Sequence, residues 1–377
     1  MSQTITVSNL PDYIREVQKF KSRSFSFRGE RGQHDARLSS AFRKPRIEKW
    51  PDEKGDFCVP MPNGYNDFME VVDEFFTSVA HRLSETEKEH FIPFAQHHGI
   101  PTNLLDITSA PLVALFMACY KKRCVDCEKN GSTQTQNGHV YVFYNNYAID
   151  ITDIVDYSSW NICRSFMMGD RTVARKFCEK AQKLMQNLSI VNNDMMTNLM
   201  ESVFTMASAC LESNYGQGNE FENKLKEICK KHEDTPPTLD DMKTLRDKIL
   251  KQPRMKRFAA IFDDEDSDFN GHIDNQGCIY TILLLYCCKK MIFHNVSELF
   301  PLMTYRPRIT FDRAREQQGF FINWDYQTIE HAHIIEIENT EEILKELDSI
   351  GINYGTIYGD FDSIALHIKE KHEVENC

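Results

Sequence analysis

Strand-forming sequence in this chain lies toward its two ends, on either side of a long helix-period middle. On the first side stand Ser24–Arg28, Leu104–Thr108 and His139–Tyr144; on the second, Arg308–Thr310, Gly319–Ile322 and His333–Ile337. Between them, residues 160–258 carry apolar side chains at helical spacing, as in Ala181–Leu188 and in the series Phe221, Leu225, Ile228, His232. A strand must pair its backbone groups with another. The two ends are therefore expected to build one core, with the middle as an insertion. The fold class this predicts is α+β: a mixed or antiparallel sheet core with flanking helices and a helical insertion.

The expected boundaries are residues 20–158 for the first part of the core, 159–276 for the insertion and 277–371 for the second part. Leu10, Tyr13, Ile14, Val17 and Phe20 predict an amphipathic helix over residues 9–22, and the spacing from Phe68 to Val79 predicts another over Asp67–Leu83. Residues 45–65 hold four Pro and several charges and read as a loop. Lys121–Gly138 is polar and reads as an exposed loop.

Charge and cysteine usage narrow the partners. A net charge of −12 argues against a broadly basic nucleic-acid-binding surface, although Arg306, Arg308, Arg313 and Arg315 cluster locally. The longest apolar stretch, Ile279–Cys288, is too short to span a bilayer. No secretory leader is visible at Met1–Ile5, so a cytoplasmic location and no membrane contact are expected. The 12 Cys are scattered and are expected to be reduced thiols. Cys124 and Cys127 have half of a zinc spacing without a second pair, and read as incidental. Asp266–Asp274 follows the first nine positions of an EF-hand loop, but the twelfth falls on Gly277. An acidic turn is the preferred reading there, and no metal is expected.

The densest chemistry lies in Ala95-Gln96-His97-His98-Gly99-Ile100-Pro101-Thr102-Asn103-Leu104-Leu105-Asp106-Ile107-Thr108, followed by the apolar helix Pro111–Cys119. Alternation along Leu104–Thr108 puts Asp106 and Thr108 on one face, while Ser109 is placed to cap the helix. His97 and His98 cannot both face one point. Upstream, Arg28 alternates with Phe25 and Phe27 and precedes Gly29, offering a rigid fork of donors with close backbone access for phosphate or carboxylate. A structural bridge from Arg28 to Glu30 or Asp106 stands as the alternative. Late in the chain, an extended run would turn Arg313, Arg315, Gln317 and Gly319 to one face, and Glu316, Gln318 and Phe320 to the other. Glu316 is the carboxylate of that run, and a solvated strand edge is its competing reading.

Phe27-Arg28-Gly29-Glu30 and the Gln96–Thr108 block resemble the FRG domain family. Arg37–Arg43, Arg313–Phe321, Leu347–Gly351 and Asp360–Ala365 are similar to further segments of that family. Its context implies a bacterial stress, phage-defence or toxin-type effector. The order of parts also resembles the ADP-ribosyltransferase layout, which implies an NAD-consuming enzyme. In that layout Arg28 holds the dinucleotide phosphates, Thr108 orders the nicotinamide pocket, and Glu316 or Gln317 orients the ribose and nucleophile; the Ser-Thr-Ser segment of the Arg-type enzymes is absent.

The candidate catalytic residues are accordingly Arg28, His97, Asp106, Thr108, Glu316 and Gln317, and the candidate NAD-binding residues Arg28, Gly29, Gln96, Thr108 and Arg313. The expected ligand is a nucleotide or dinucleotide; the acceptor macromolecule is unassigned. Two other classes compete. A metal-dependent hydrolase or nuclease would use His97 or His98 with Asp106 and Asp360 or Asp362. A non-catalytic nucleotide-binding module would use Arg28 and the late basic run.

Overall fold

The computed structural model describes residues 3–20, 25–32, 39–42, 46–52, 55–61, 65–120, 137–145, 148–155, 165–166, 170–191, 193–213, 219–233, 235–255, 274–290, 299–308, 315–323 and 333–375. It divides into two compact units, residues 1–145 with 305–377, and residues 146–304.

Among the described residues the strands are β1 Gln3–Val7, β2 Phe25–Arg31, β3 Arg46–Asp52, β4 Gly55–Met61, β5 Leu104–Thr108, β6 Gly138–Tyr144, β7 Ala148–Asp150, β8 Leu302–Tyr305, β9 Gly319–Asn323 and β10 His333–Ile337. In the first unit, six of them run in the order β1-β10-β6-β2-β5-β9. β1 is parallel to β10, and the remaining pairings are antiparallel. The sheet is mixed and drawn from both sides of the middle segment, as the α+β expectation requires.

The early helices are α1 Leu10–Val17, α2 Tyr65–Val79, α3 Glu85–Glu89, α4 Phe91–His97 and α5 Pro111–Cys119. One face of the sheet forms the core. Val7, Phe27, Val140, Val142, Ile335 and Ile337 pack there with residues of α1, α5 and the helix Thr340–Ser349. α5 carries only apolar residues and is buried along most of its length, as a helix without a polar face must be. It approaches the sheet closely enough to dictate sequence beneath it. A Cβ on Gly29 would lie 1.8 Å from the Ala114 carbonyl oxygen, and one on Gly138 would lie 2.5 Å from that of Ala118.

Three local expectations are corrected. The Pro-rich segment 45–65 is not a plain loop, because β3 and β4 pair as an antiparallel ribbon from Arg46↔Met61 to Asp52↔Gly55. Pro51 and Pro60 fit there since each strand of a two-stranded ribbon keeps an unpaired edge that needs no donor. The first helix closes at Val17 rather than at residue 22. Arg315 and Glu316 lie in a helical turn, and Gln318 has the left-handed φ of 45°, so extended backbone begins only at Gly319. The alternating faces expected from Arg315 to Gln318 do not form.

The second unit is helical, with helices at Arg171–Val191, Asn193–Glu212, Asn219–Glu233, Leu239–Leu250 and Gln276–Lys290 and the parallel pair β7–β8. Every residue of Gly277–Cys288 is buried. That stretch packs against the helices Arg171–Val191 and Asn193–Glu212, and so falls in this unit rather than beyond the expected boundary at 276. Cys178 and Cys278 form a disulfide with their Cα atoms 5.2 Å apart, which corrects the expectation of reduced thiols throughout. Adjacent packing of the two helices brings these sulfurs together across 100 positions of sequence, a proximity that spacing along the chain does not reveal. Cys124, Cys127, Arg313, Ile309, Thr310 and most of the Asp266–Asp274 run lie outside the described residues. Asp274 itself pairs with Arg246 at 2.8 Å.

No described helix is long and apolar enough to cross a membrane.

Candidate functional site

β5 is the hub of a polar cluster. It pairs with β2 at Phe27↔Thr108 and with β9 from Leu104↔Asn323 to Thr108↔Gly319. Side chains from residues far apart in sequence therefore meet along one short strand.

Arg28 comes from β2. Its Nε donates to Glu30 Oε1 at 2.6 Å and its Nη1 to the main-chain carbonyl of Asp106 at 2.7 Å. Of the two acidic partners in the structural alternative for Arg28, the carboxylate of Glu30 is engaged, while Asp106 contributes only its main-chain carbonyl. The pair is sheltered, with side-chain exposures of 13% for Arg28 and 9% for Glu30. An arginine has five donors, and no further partner of the Arg28 guanidinium lies among the described residues.

Gly29 faces the other way. Its Cα hydrogens press on the α5 backbone, so its place in the motif is explained by packing.

The Gln96–Thr108 block folds as three successive devices. α4 ends in a left-handed Gly99 with φ 84°. The Ile100 amide donates to Ala95 O and the Gly99 amide to Gln96 O, both at 3.0 Å; this is a Schellman closure, which Gly adopts without strain. Next, Gln96 works through both ends of its amide. Nε2 donates to Asp106 Oδ1 at 2.9 Å, and Oε1 accepts from the Thr102 hydroxyl. Thr102 is tied in turn to Ser40, whose Oγ accepts from the Thr102 amide at 2.9 Å. Asp106 is left exposed between buried neighbours.

Thr108 ends β5, just ahead of α5. Its Oγ1 accepts from the Ala110 amide at 2.9 Å and donates to the Gln317 carbonyl at 2.7 Å. Contrary to the expectation from sequence, Ser109 does not cap α5; its Oγ donates to Gln318 Oε1 at 3.4 Å. The N-cap position of α5 is Ala110, where no side chain caps the helix; the Ser109 amide donates to Gln318 O at 3.3 Å, which holds that residue against the late segment.

The remaining candidates divide. Gln317 joins the cluster through its carbonyl, and its buried Nε2 has no partner. Glu316 stands apart as an exposed carboxylate accepting from Arg315 Nε and Nη2, both at 3.1 Å. His98 packs against Phe94 with ring centroids 4.5 Å apart, and His97 meets His98 edge-on at 5.2 Å. Asp360 accepts from the Ser363 amide and hydroxyl, both at 2.8 Å, at the start of the last helix. Among the described residues no group of three or more His, Cys, Asp or Glu is placed to hold a metal ion.

Sequence reading under-weighted two groups. Glu30 entered it only as a partner of Arg28, yet its Oε2 is buried without a hydrogen-bond partner. His90 was not singled out. It is 6% exposed, its Nδ1 lies 2.6 Å from the Tyr305 hydroxyl, and its Nε2 is unpartnered. Burial, the largest influence, pushes its pKa below the ordinary value, with Arg308 adding to the shift and Glu89 opposing it.

Residues 23–127 match the family model of the FRG domain. The match takes in β2, β5 and α5, but neither β6 nor the late segment that supplies Gln317. No curated protein and no solved structure matches the chain.

Proposed function

We propose, for a chain that carries an FRG domain across residues 23–127, that the β5 cluster binds a dinucleotide and that the protein is an NAD-consuming, ADP-ribosyltransferase-like enzyme. The observation that carries this reading is the convergence on three adjacent strands of the parts the layout needs. Arg28 reaches the β5 backbone at Asp106, and Thr108, at the end of β5, reaches the segment holding Gln317 across 209 positions. Unpartnered polar groups support a ligand at this place. Gln317 Nε2 and Glu30 Oε2 are buried and unpartnered. Such atoms are costly to leave unsatisfied, and a bound ligand completes them.

NAD supplies the leaving group, nicotinamide, and its departure leaves positive charge on the ribose. The residues of this chain then have three tasks. Arg28 offers its remaining donors to phosphate oxygens. Gln96 and Asp106, locked together, and Thr108, fixed by two hydrogen bonds, keep β5 rigid where Arg28 grips its backbone. A carboxylate steadies the developing charge and takes a proton from the nucleophile. The family resemblance makes a bacterial defence or toxin-type role the setting we propose for such an activity.

The test is NAD binding and nicotinamide release by the purified protein beside Arg28→Ala, each with and without a chelator. Release that the substitution abolishes and the chelator leaves unchanged supports the reading; a folded protein that neither binds NAD nor releases nicotinamide overturns it. A binding module without turnover is the second reading. It is favoured by the 2.6 Å Arg28–Glu30 contact, which partly neutralises the cation, and it predicts saturable binding without release.

A further inference from the structure

We infer that Glu30, rather than Glu316, is the carboxylate of this site and receives the proton of the attacking hydroxyl, amine or water. The inference rests on the NAD-consuming reading and names a residue that the transferase layout does not.

Glu30 lies two positions after Arg28 on β2, so both side chains leave the sheet on the same face, opposite Gly29 and α5. The register confirms the shared face, since Arg28 pairs with Tyr141 and Glu30 with His139 on β6. One carboxylate oxygen is fixed on Arg28 Nε at 2.6 Å; the other is buried and accepts no hydrogen bond. A half-satisfied carboxylate that is 9% exposed is expensive to maintain. It is oriented by the arginine assigned to the phosphates, and its second oxygen is without a partner until a ligand's donor reaches it.

Glu316 has none of these properties. It lies on a helical turn, is exposed, and is paired with the adjacent Arg315. Exposed pairs of this kind are solvated and hold little fixed geometry. Asp106 is exposed, and its Oδ1 is taken by Gln96.

The bond between the ribose carbon and the nicotinamide nitrogen breaks, and its electron pair leaves with nicotinamide. The acceptor oxygen or nitrogen forms the new bond to that carbon, and the acceptor's proton passes to Glu30 Oε2.

The deciding experiment measures NAD affinity by calorimetry and nicotinamide release by chromatography for wild type, Glu30→Gln, Glu30→Asp and Glu316→Gln, with thermal melts confirming folding. We expect Glu30→Gln to keep NAD affinity within about threefold and to lose about 100-fold or more in release, the usual span for a proton-transfer group. Glu30→Asp should recover part of that loss, and Glu316→Gln should release nicotinamide within about threefold of wild type. Release by Glu30→Gln at the wild-type rate overturns the assignment, as does a fall in affinity that matches the fall in release, which would mark Glu30 as a support for Arg28. If Glu30→Gln does not fold, Glu30→Asp decides: reduced release with retained affinity supports the assignment, and undiminished release overturns it. Absence of release from wild type is a different failure, which removes the NAD-consuming reading and this assignment together.

Discussion

Arg28 Nη1 and the main-chain oxygen of Asp106 are 2.7 Å apart, although 78 positions separate the residues in sequence. The bond is to backbone, so it ties β2 to β5 whatever side chain stands at 106. It also fixes the arginine independently of charge on Asp106. Substitutions at the two positions should therefore behave differently. Arg28→Lys loses the forked geometry and weakens the contact with a sheltered Glu30; we expect about 1–3 kcal/mol of destabilisation. Asp106→Asn keeps the carbonyl and is expected to cost under about 1 kcal/mol. Urea denaturation of the two variants checks the contrast.

Gly29→Ala is expected to be among the most damaging single changes in the chain. The added methyl would meet backbone of α5 at 1.8 Å, which no rotamer change relieves. A loss above about 3 kcal/mol, or failure to fold, is expected, since even ordinary overpacking costs about 1–3 kcal/mol. Soluble yield and the melting temperature report it.

Thr108→Val removes the acceptor of the Ala110 amide and the donor to Gln317 O without changing side-chain shape greatly. We expect about 1–3 kcal/mol of lost stability. Amide exchange should quicken at Ala110 and around Gly319, where the late strand begins, and remain unchanged in α1.

His90 makes stability pH-dependent with a definite sign. Its pKa in the folded protein is lowered from 6.5, so between the two values the unfolded chain binds more protons than the native one. Stability then rises with pH through that window and falls on acidification below about 6.5. The effect ends below the folded pKa, where both states are protonated. Chemical unfolding measured from pH 7.5 down to 5 should show this slope, and His90→Gln should flatten it. An equal slope in the variant would remove His90 as its source.

The Cys178–Cys278 bond closes a loop of 100 positions between two buried helices of the second unit. Its reduction is expected to lower that unit's stability by about 2–5 kcal/mol. Peptide mapping without reductant should recover the linked pair. Detection of both residues only as free thiols in the folded protein would count against the bond.

Much of the first unit was legible in sequence because its signals are local. The alternation in Phe25–Arg28, the Leu104–Thr108 strand and the apolar run after Pro111 each state their own conformation. The β3–β4 ribbon was hidden because four Pro read as a loop when partners are unknown. Gln96, Asp106 and Thr108 were readable as polar groups embedded in apolar surroundings. Their couplings were not, because Gln96 to Thr102 and Thr108 to Gln317 depend on how a Schellman turn and a distant strand place them. Glu30 was missed for the same reason. A carboxylate two positions from an arginine looks like a surface pair until burial shows that one oxygen has nothing to bond.

The parallel pairing of β1 with β10 has a consequence for biosynthesis. When a ribosome has released residues 1–145, β6, β2 and β5 can associate, but β1 waits for its neighbour and the open flank of β5 waits for β9. Both rims of the nascent three-stranded sheet stay open while the whole helical unit is translated, and open rims invite association with other chains. The bond partner of Thr108 also arrives only with residue 317. Translation order thus acts as a timer that withholds the Thr108–Gln317 contact and the β5–β9 pairing until the late strands emerge, leaving the unfinished polypeptide with two exposed sheet edges.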